Sequence, residues 1–157
     1  MIRTGIGYDV HQLVEGESLI IGSVPIQSDF GSLGHSDGDA LIHSICDALL
    51  GAASLGDLGV FFPSESDEWE NVESKMFLME VISKIKKEGY HINNIDATIV
   101  LQSPMLNTYM SLIKKSLAKI LELDNSQISI KATTTDYLGF IGKGLGWSAL
   151  AIATLSK

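Results

Sequence analysis

Apolar positions along this chain switch between two periods, and the switches mark out its elements. The opening "MIRTGIGYDV" reads as a strand, and "SLIIGSVPI" as strand folded on a turn at Gly22–Ser23. In "GDALIHSICDALLGAASL", Leu41, Ile45, Leu49 and Ala52 recur at helical spacing, with Ser36, Asp37 and Asp39 as cap candidates. "EWENVESKMFLMEVISKIKKEG" contains a second helix, acidic early and lysine-rich late, with Gly89 as its stop. "IDATIVLQ" follows as a β-branched strand. "LNTYMSLIKKSLAKILEL" is a third amphipathic helix that opens just after Pro104. "QISIKATTT" and "WSALAIATLSK" are the last strands, separated by the glycine-rich "LGFIGKGLG".

Helices alternate with strands through the second half, which predicts an α/β fold: an α+β sandwich with helices on one face of a mixed sheet. There is no internal repeat, low-complexity tract or linker, so residues 1–157 read as one domain. The last strand is apolar or small on both faces. One face is expected to meet the chain's own helices and the other to meet copies of the chain, unless the strand is buried wholly within one subunit.

Composition narrows the function. At 45% apolar and 19% charged residues, the chain is globular in character, not disordered. The formal net charge of −8 argues against nucleic acid as a partner, because non-specific binding needs basic surface. A phosphate ligand would have to be met by metal ions, helix N-termini or backbone N–H groups. No apolar run is long enough to span a membrane, and the first residues lack a signal-peptide pattern. A single cysteine, Cys46, excludes an internal disulfide; the expected compartment is the cytoplasm, or an organelle matrix after removal of a targeting segment.

Asp9 and His11, two apart on the first strand, point to one face and can converge on one ion. His43, early in the first helix, is a candidate third ligand. Asp–His–His with an open position suits a catalytic divalent metal, zinc first. The same residues also fit a turn aspartate and half-buried histidines. In "GHSDGD", His35 and Ser36 enter a helix start that favours anions, although an ordinary capping loop has the same composition. In "KATTTD", three threonine hydroxyls and Asp136 suit a magnesium-bound phosphate group; strand propensity and a turn explain them as well.

Taken together, "YDVH", "HSDGDALIHSICDALLGAASLGDLGVFFP" and "IKATTTDYLGFIGKGLG" resemble the 2-C-methyl-D-erythritol 2,4-cyclodiphosphate synthase family of the non-mevalonate isoprenoid pathway. The match is collinear from about residue 2 to the end. The resemblance implies a homotrimer around a central β-prism, with active sites shared between adjacent subunits. It implies zinc at Asp9, His11 and His43, and magnesium or manganese at Asp136 across a diphosphate. His35 and Thr134 would be the catalytic pair that stabilises developing charge. The substrate, a cytidine-diphosphate methylerythritol phosphate, would be contacted by Asp9, Val10, His11, His35, Ser36, Asp57, Leu58 and Gly59. Further contacts would come from Phe62, Pro63, Ser64, Glu65 and Ser66. From the adjacent subunit, Leu101, Gln102, Ser103, Pro104, Met105, Leu106 and Asn107 would hold cytosine and Thr133 and Thr134 the diphosphate; Thr135, Asp136, Phe140 and Lys143 would complete the substrate contacts.

The implied reaction is cyclisation: the 2-phosphate attacks the β-phosphorus and CMP leaves. A zinc phosphohydrolase on the same ligands and a non-catalytic trimeric zinc scaffold are the competing readings. The chain also departs from the family pattern. Asp136 replaces a common glutamate, "FPSES" replaces "FPD-x-D", and Met105 stands where lysine is frequent. Lys143 and Leu150 replace an arginine and a glutamate that line a trimer-axis cavity able to hold an isoprenoid diphosphate in many members. A ring of lysines could still attract a diphosphate, but as point charges and without the forked geometry of arginine, so the sequence leaves that ligand open. Cys46, His91, Trp69 and Trp147 read as structural.

Overall fold

A long first strand, β1 (Ile2–Glu15), carries the molecule's organising pattern. Its odd-numbered side chains turn inward and its even-numbered ones turn out, yet the outward set includes Ile2, Ile6, Tyr8 and Val10, all exposed. Inward, Gly5 and Gly7 come first and Asp9, His11 and Leu13 follow. The computed structural model describes residues 1–63, 69 and 72–157.

After β1 come the short strands β2 (Leu19–Ile21), β3 (Val24–Ile26) and β4 (Phe30–Ser32), then helix α1 (Ala40–Ala53). A single turn, α2 (Leu58–Phe61), precedes α3 (Ser74–Lys87) and strand β5 (His91–Val100). Helix α4 (Met110–Leu121), a 3-10 turn (Asn125–Gln127), β6 (Ile128–Thr133), the turn α5 (Gly139–Gly142) and β7 (Gly146–Ser156) complete the chain. The main sheet has the order β4-β1-β7-β5-β6; β5 and β6 run parallel and the other pairs antiparallel. The sheet is therefore mixed, as expected, while β2 and β3 form a separate hairpin around Gly22–Ser23.

Helix α1 lies across β1 and β7 unusually closely. A Cβ on Gly5 would overlap the carbonyl oxygen of Ala48, and one on Gly7 that of Ser44. On β7 the facing residues are Ala149, Ala151 and Ala153, all fully buried. Small residues on both strands let the helix backbone approach the sheet, and Leu41, Ile45 and Leu49 fill the core on either side. The other face of β7 shows Leu150 and Ile152, each 39% exposed, beside Tyr8 and Ile6 on β1. That apolar outer stripe is what the sequence pattern required to be covered.

Element ends differ from the sequence reading by a few residues. Helix α1 starts at Ala40 because Asp39 is its cap, its side chain accepting from the Ile42 amide at 3.1 Å. At the far end, Arg3 donates from Nε to the Ala52 carbonyl at 2.5 Å and also bonds Ser54, so β1 ties down the C-terminal end of the helix. The third helix opens at Met110, not directly after Pro104, and β6 ends at Thr133, leaving Thr134 and Thr135 in the loop. Trp147 and Cys46 are fully buried, as a structural role requires, and the indole N–H of Trp147 donates to Ser32 at 2.9 Å.

Candidate metal centre and substrate cleft

The close approach of α1 brings His43, on its first turn, over the inward face of β1. His43 Nδ1 lies 3.0 Å from Asp9 Oδ2, and His11 Nδ1 lies 3.1 Å from the same oxygen. The two imidazole rings are 5.3 Å apart between centroids. Asp9, His11 and His43 thus each offer a ligand atom within 4.8 Å of the others. His11 Nδ1 is buried, is not aligned to bond the carboxylate despite its distance, and has no hydrogen-bond partner. An orphaned buried nitrogen aimed at a carboxylate and a second imidazole is the donor set a divalent cation satisfies.

Electrostatics agree with that picture. Burial alone would raise the Asp9 carboxyl, but the two imidazoles outweigh it and hold Asp9 well below the ordinary carboxylate range. Burial alone would lower His43, and its bond to Asp9 more than reverses it, so His43 holds a proton more tightly than a free histidine. Each shift reports the same deficit. One carboxylate faces two imidazoles, and a cation placed among them would replace the protons.

The triad opens on a cleft of about 260 Å³ lined by His11, Gly34, His35, Ser36, His43, Leu58, Gly59, Phe62, Trp69 and Phe77. Phe62 packs against Trp69 and Phe77 with centroid separations of 4.8 Å to each. One wall is therefore apolar, and the other carries the exposed His35 and the half-buried Ser36. Asp57 caps α2 by accepting from the Val60 amide at 3.1 Å. Leu58 is tied back to α1 by its N–H, which donates to Asp47 Oδ1 at 2.7 Å.

Not every residue named from sequence joins this cleft. The Val10 side chain faces the opposite side of the sheet, so only its backbone is near Asp9 and His11. Ser64, Glu65 and Ser66 lie outside the described residues, and Pro63 precedes them on the exposed edge. Leu101 to Asn107 and Thr133 to Asp136 form a second cluster. Leu101 N–H donates to Thr133 O at 3.0 Å, and Tyr137 N–H to Gln102 Oε1 at 3.0 Å. Leu101 and Leu106 are buried anchors, whereas Met105 is 67% exposed. Asp136 and Tyr137 both adopt left-handed backbone, a costly arrangement that turns the Asp136 loop sharply. Ser103, Pro104 and Lys143 border a separate surface cavity, and Phe140 packs beside Gly146. This second cluster does not line the cleft of its own chain.

Sequence reasoning missed three participants. Trp69 reads as structural but lines the cleft. Phe77 sits beneath His43 at 6.0 Å between ring centroids. Ser74, the first residue of α3, reaches the His43 ring from a helix whose packing no local pattern reveals.

The model of the YgbB family matches residues 2–156. The chain belongs to the YgbB family. A 2-C-methyl-D-erythritol 2,4-cyclodiphosphate synthase from Clostridium botulinum (strain Okra / Type B1) is 52% identical over 154 residues, covering 98% of this chain and 99% of that one. A solved 2C-methyl-D-erythritol-2,4-cyclodiphosphate synthase in a CDP-bound form superposes with a TM-score of 0.91 at 32% identity, over 98% of this chain and 100% of the other. The bifunctional IspDF from Campylobacter jejuni superposes with a TM-score of 0.95 at 39% identity, over 99% of this chain. The chain spans only 42% of that longer protein. These YgbB-family matches run the length of the chain and take in both the triad and the second cluster.

Proposed function

We propose that this YgbB-family chain is a 2-C-methyl-D-erythritol 2,4-cyclodiphosphate synthase, acting in the cytoplasm on the non-mevalonate route to isoprenoid precursors. Its substrate is 4-diphosphocytidyl-2-C-methyl-D-erythritol 2-phosphate and its products are the cyclic diphosphate and CMP. The observation that carries this reading is the convergence of Asp9, His11 and His43 at a cleft flanked by His35 and Ser36.

An oxygen of the 2-phosphate attacks the β-phosphorus, the bond from that phosphorus to the α-phosphate oxygen breaks, and CMP leaves with the electron pair. The attacking oxygen is already an anion, so the side chains have no proton to remove from it. Their task is to bring two anions together and hold them in line, which is worth roughly 7–11 kcal/mol when near ideal. Asp9, His11 and His43 would hold zinc, and Asp136 magnesium or manganese. When bound, these cations supply positive charge that offsets the repulsion between the phosphates.

His35 and Ser36 donate hydrogen bonds to the 2-phosphate, and Asp57 accepts from the erythritol hydroxyls. Thr133 and Thr134 donate to the diphosphate, and Leu101 to Asn107 enclose cytosine. The aromatic wall of Phe62, Trp69 and Phe77 excludes water, which favours cyclisation over hydrolysis. The second cluster acts on the cleft of an adjacent subunit in a homotrimer. This assignment is supported by its absence from its own chain's cleft and by the uncovered stripe of Ile6, Tyr8, Leu150 and Ile152.

Phosphorus NMR of the products tests the reading. CMP with two coupled cyclic-diphosphate resonances is expected. CMP with a linear 2,4-bisphosphate would mean that water, not the tethered phosphate, is the nucleophile, and inorganic phosphate would mean that the 2-phosphate ester itself is hydrolysed.

A further inference from the structure

The side of His43 turned away from Asp9 is also occupied. His43 Nε2 lies 2.9 Å from Ser74 Oγ, and Ser74, at the start of α3, is fully buried. The Ser74 hydroxyl bonds Asp37 Oδ1, and the Ser74 backbone N–H donates to Asp37 Oδ2 at 3.1 Å. One aspartate therefore takes both donors of one serine. Ser36 Oγ also approaches Nε2, at a longer 3.4 Å.

The shortest of these bonds set the direction of the chain. An ionised carboxylate only accepts, so the Ser74 O–H must point at Asp37. The Ser74 oxygen is then left to accept, and the nearer donor is Nε2–H of His43 at 2.9 Å, with the Ser36 hydroxyl farther off at 3.5 Å. A neutral imidazole carries one N–H, so a proton fixed on Nε2 leaves a lone pair on Nδ1, the atom beside Asp9. Metal-ligating histidines characteristically give their second N–H to a fixed acceptor, which sets both tautomer and ring orientation.

We infer that Ser74 and Asp37 are positioning residues for the metal centre: the chain Asp37–Ser74–His43 fixes the His43 tautomer that presents Nδ1 to a cation. The inference rests on the reading of Asp9, His11 and His43 as metal ligands and deepens it. It also gives α3 a task at the site. The helix start, which no ligand pattern marks, anchors the ring that α1 supplies. Ser74→Ala removes only the hydroxyl and keeps the backbone bond to Asp37, so it isolates the effect.

The test is zinc affinity, measured by chelator competition on the full chain, together with the Nε2–H proton of His43 in nitrogen-proton NMR of the zinc-loaded protein. Wild type is expected to bind zinc and to show a slowly exchanging Nε2–H. Ser74→Ala is expected to weaken zinc binding about 10- to 100-fold, the usual effect of losing such a partner, and to lose that slow exchange. Ser36→Ala, which removes the more distant hydroxyl, is expected to change zinc affinity less than twofold. Asp37→Asn keeps an acceptor without its charge and should fall between wild type and Ser74→Ala; if Ser74→Ala does not fold, Asp37→Asn decides. Zinc affinity and Nε2–H exchange unchanged in both Ser74→Ala and Asp37→Asn would overturn the inference while leaving the metal reading intact. Wild type that binds no zinc would overturn both.

Discussion

Gly7 of β1 and Ser44 of α1 touch backbone to backbone: a Cβ on Gly7 would overlap the Ser44 carbonyl oxygen. A nearby residue of each element belongs to the Asp9–His11–His43 group. Asp9 lies two positions along the strand from Gly7, and His43 one position before Ser44, so their 3.0 Å separation depends on this approach. Asp9 and His43 are 34 residues apart in sequence, and a glycine sets their distance.

Gly7→Ala is therefore expected to push α1 off the sheet. The clash is with backbone, not with a yielding side chain, so the cost should reach or exceed the usual overpacking range of about 1–3 kcal/mol. Urea unfolding should show a lower midpoint with an unchanged slope. Zinc affinity should fall as well, because Asp9 and His43 separate. A variant with wild-type stability and affinity would show that the glycine is incidental.

Asp39 makes a distinctive pH prediction. Burial, the largest influence, raises its carboxyl to about 6 from 3.8, while amides of Ser23, Gly22 and Ile42 pull the other way and Asp37 adds to the rise. The folded chain keeps a proton there that the unfolded chain releases near the ordinary value. The resulting stability is thus full at low pH and is lost as pH climbs through about 6. The loss should approach ~3 kcal/mol. Asp9, held low, works in the opposite sense but is common to wild type and variant. Measured by urea unfolding between pH 4 and 7, wild type should lose stability relative to Asp39→Asn as pH rises. Parallel curves would refute this.

Ile6 is 65% exposed in the single chain and pairs with Ile152, 39% exposed, across β1 and β7. Ile6→Lys should leave the isolated chain folded and still able to bind zinc. Assembly should fail, because a charge buried without a partner costs about 3–5 kcal/mol, and CMP release should fall roughly a hundredfold or more with it. Sedimentation and turnover read the two effects. A fully active Ile6→Lys trimer would mean that this stripe does not face other subunits.

If sites are shared, two inactive chains can complement each other. His43→Ala supplies an intact second cluster and Thr134→Ala an intact triad. Co-assembled in equal amounts, they should recover about a quarter of wild-type turnover, since each site draws its halves independently. Absence of recovery in verified mixed assemblies would place both residues in the cleft of one chain.

Much of this was legible from sequence, because its signals are local. Asp9 and His11 share a face by strand alternation, and His43 is placed by helix period within an obvious helix. The apolar outer face of β7 announced its need for cover. What stayed hidden depends on tertiary packing. Ser74 looks like any helix-start serine, and Trp69 and Phe77 like core aromatics. Thr134 and Asp136 were readable as a polar cluster, but only the family resemblance, and no local pattern, assigned them to an adjacent subunit's cleft. The short α2 and β4 lack the length to show a period at all.

In the proposed function, Asp9, His11 and His43 form the metal centre of a cyclising enzyme. Zinc content and CMP release, measured on the same preparations of wild type and His43→Ala, test it most directly. Wild type should carry stoichiometric zinc and convert the cytidine-diphosphate substrate to CMP and a cyclic diphosphate when magnesium is present. Folded His43→Ala should lose both zinc and turnover. Wild type that keeps its full rate after zinc is stripped, or His43→Ala that turns over normally, would contradict the account.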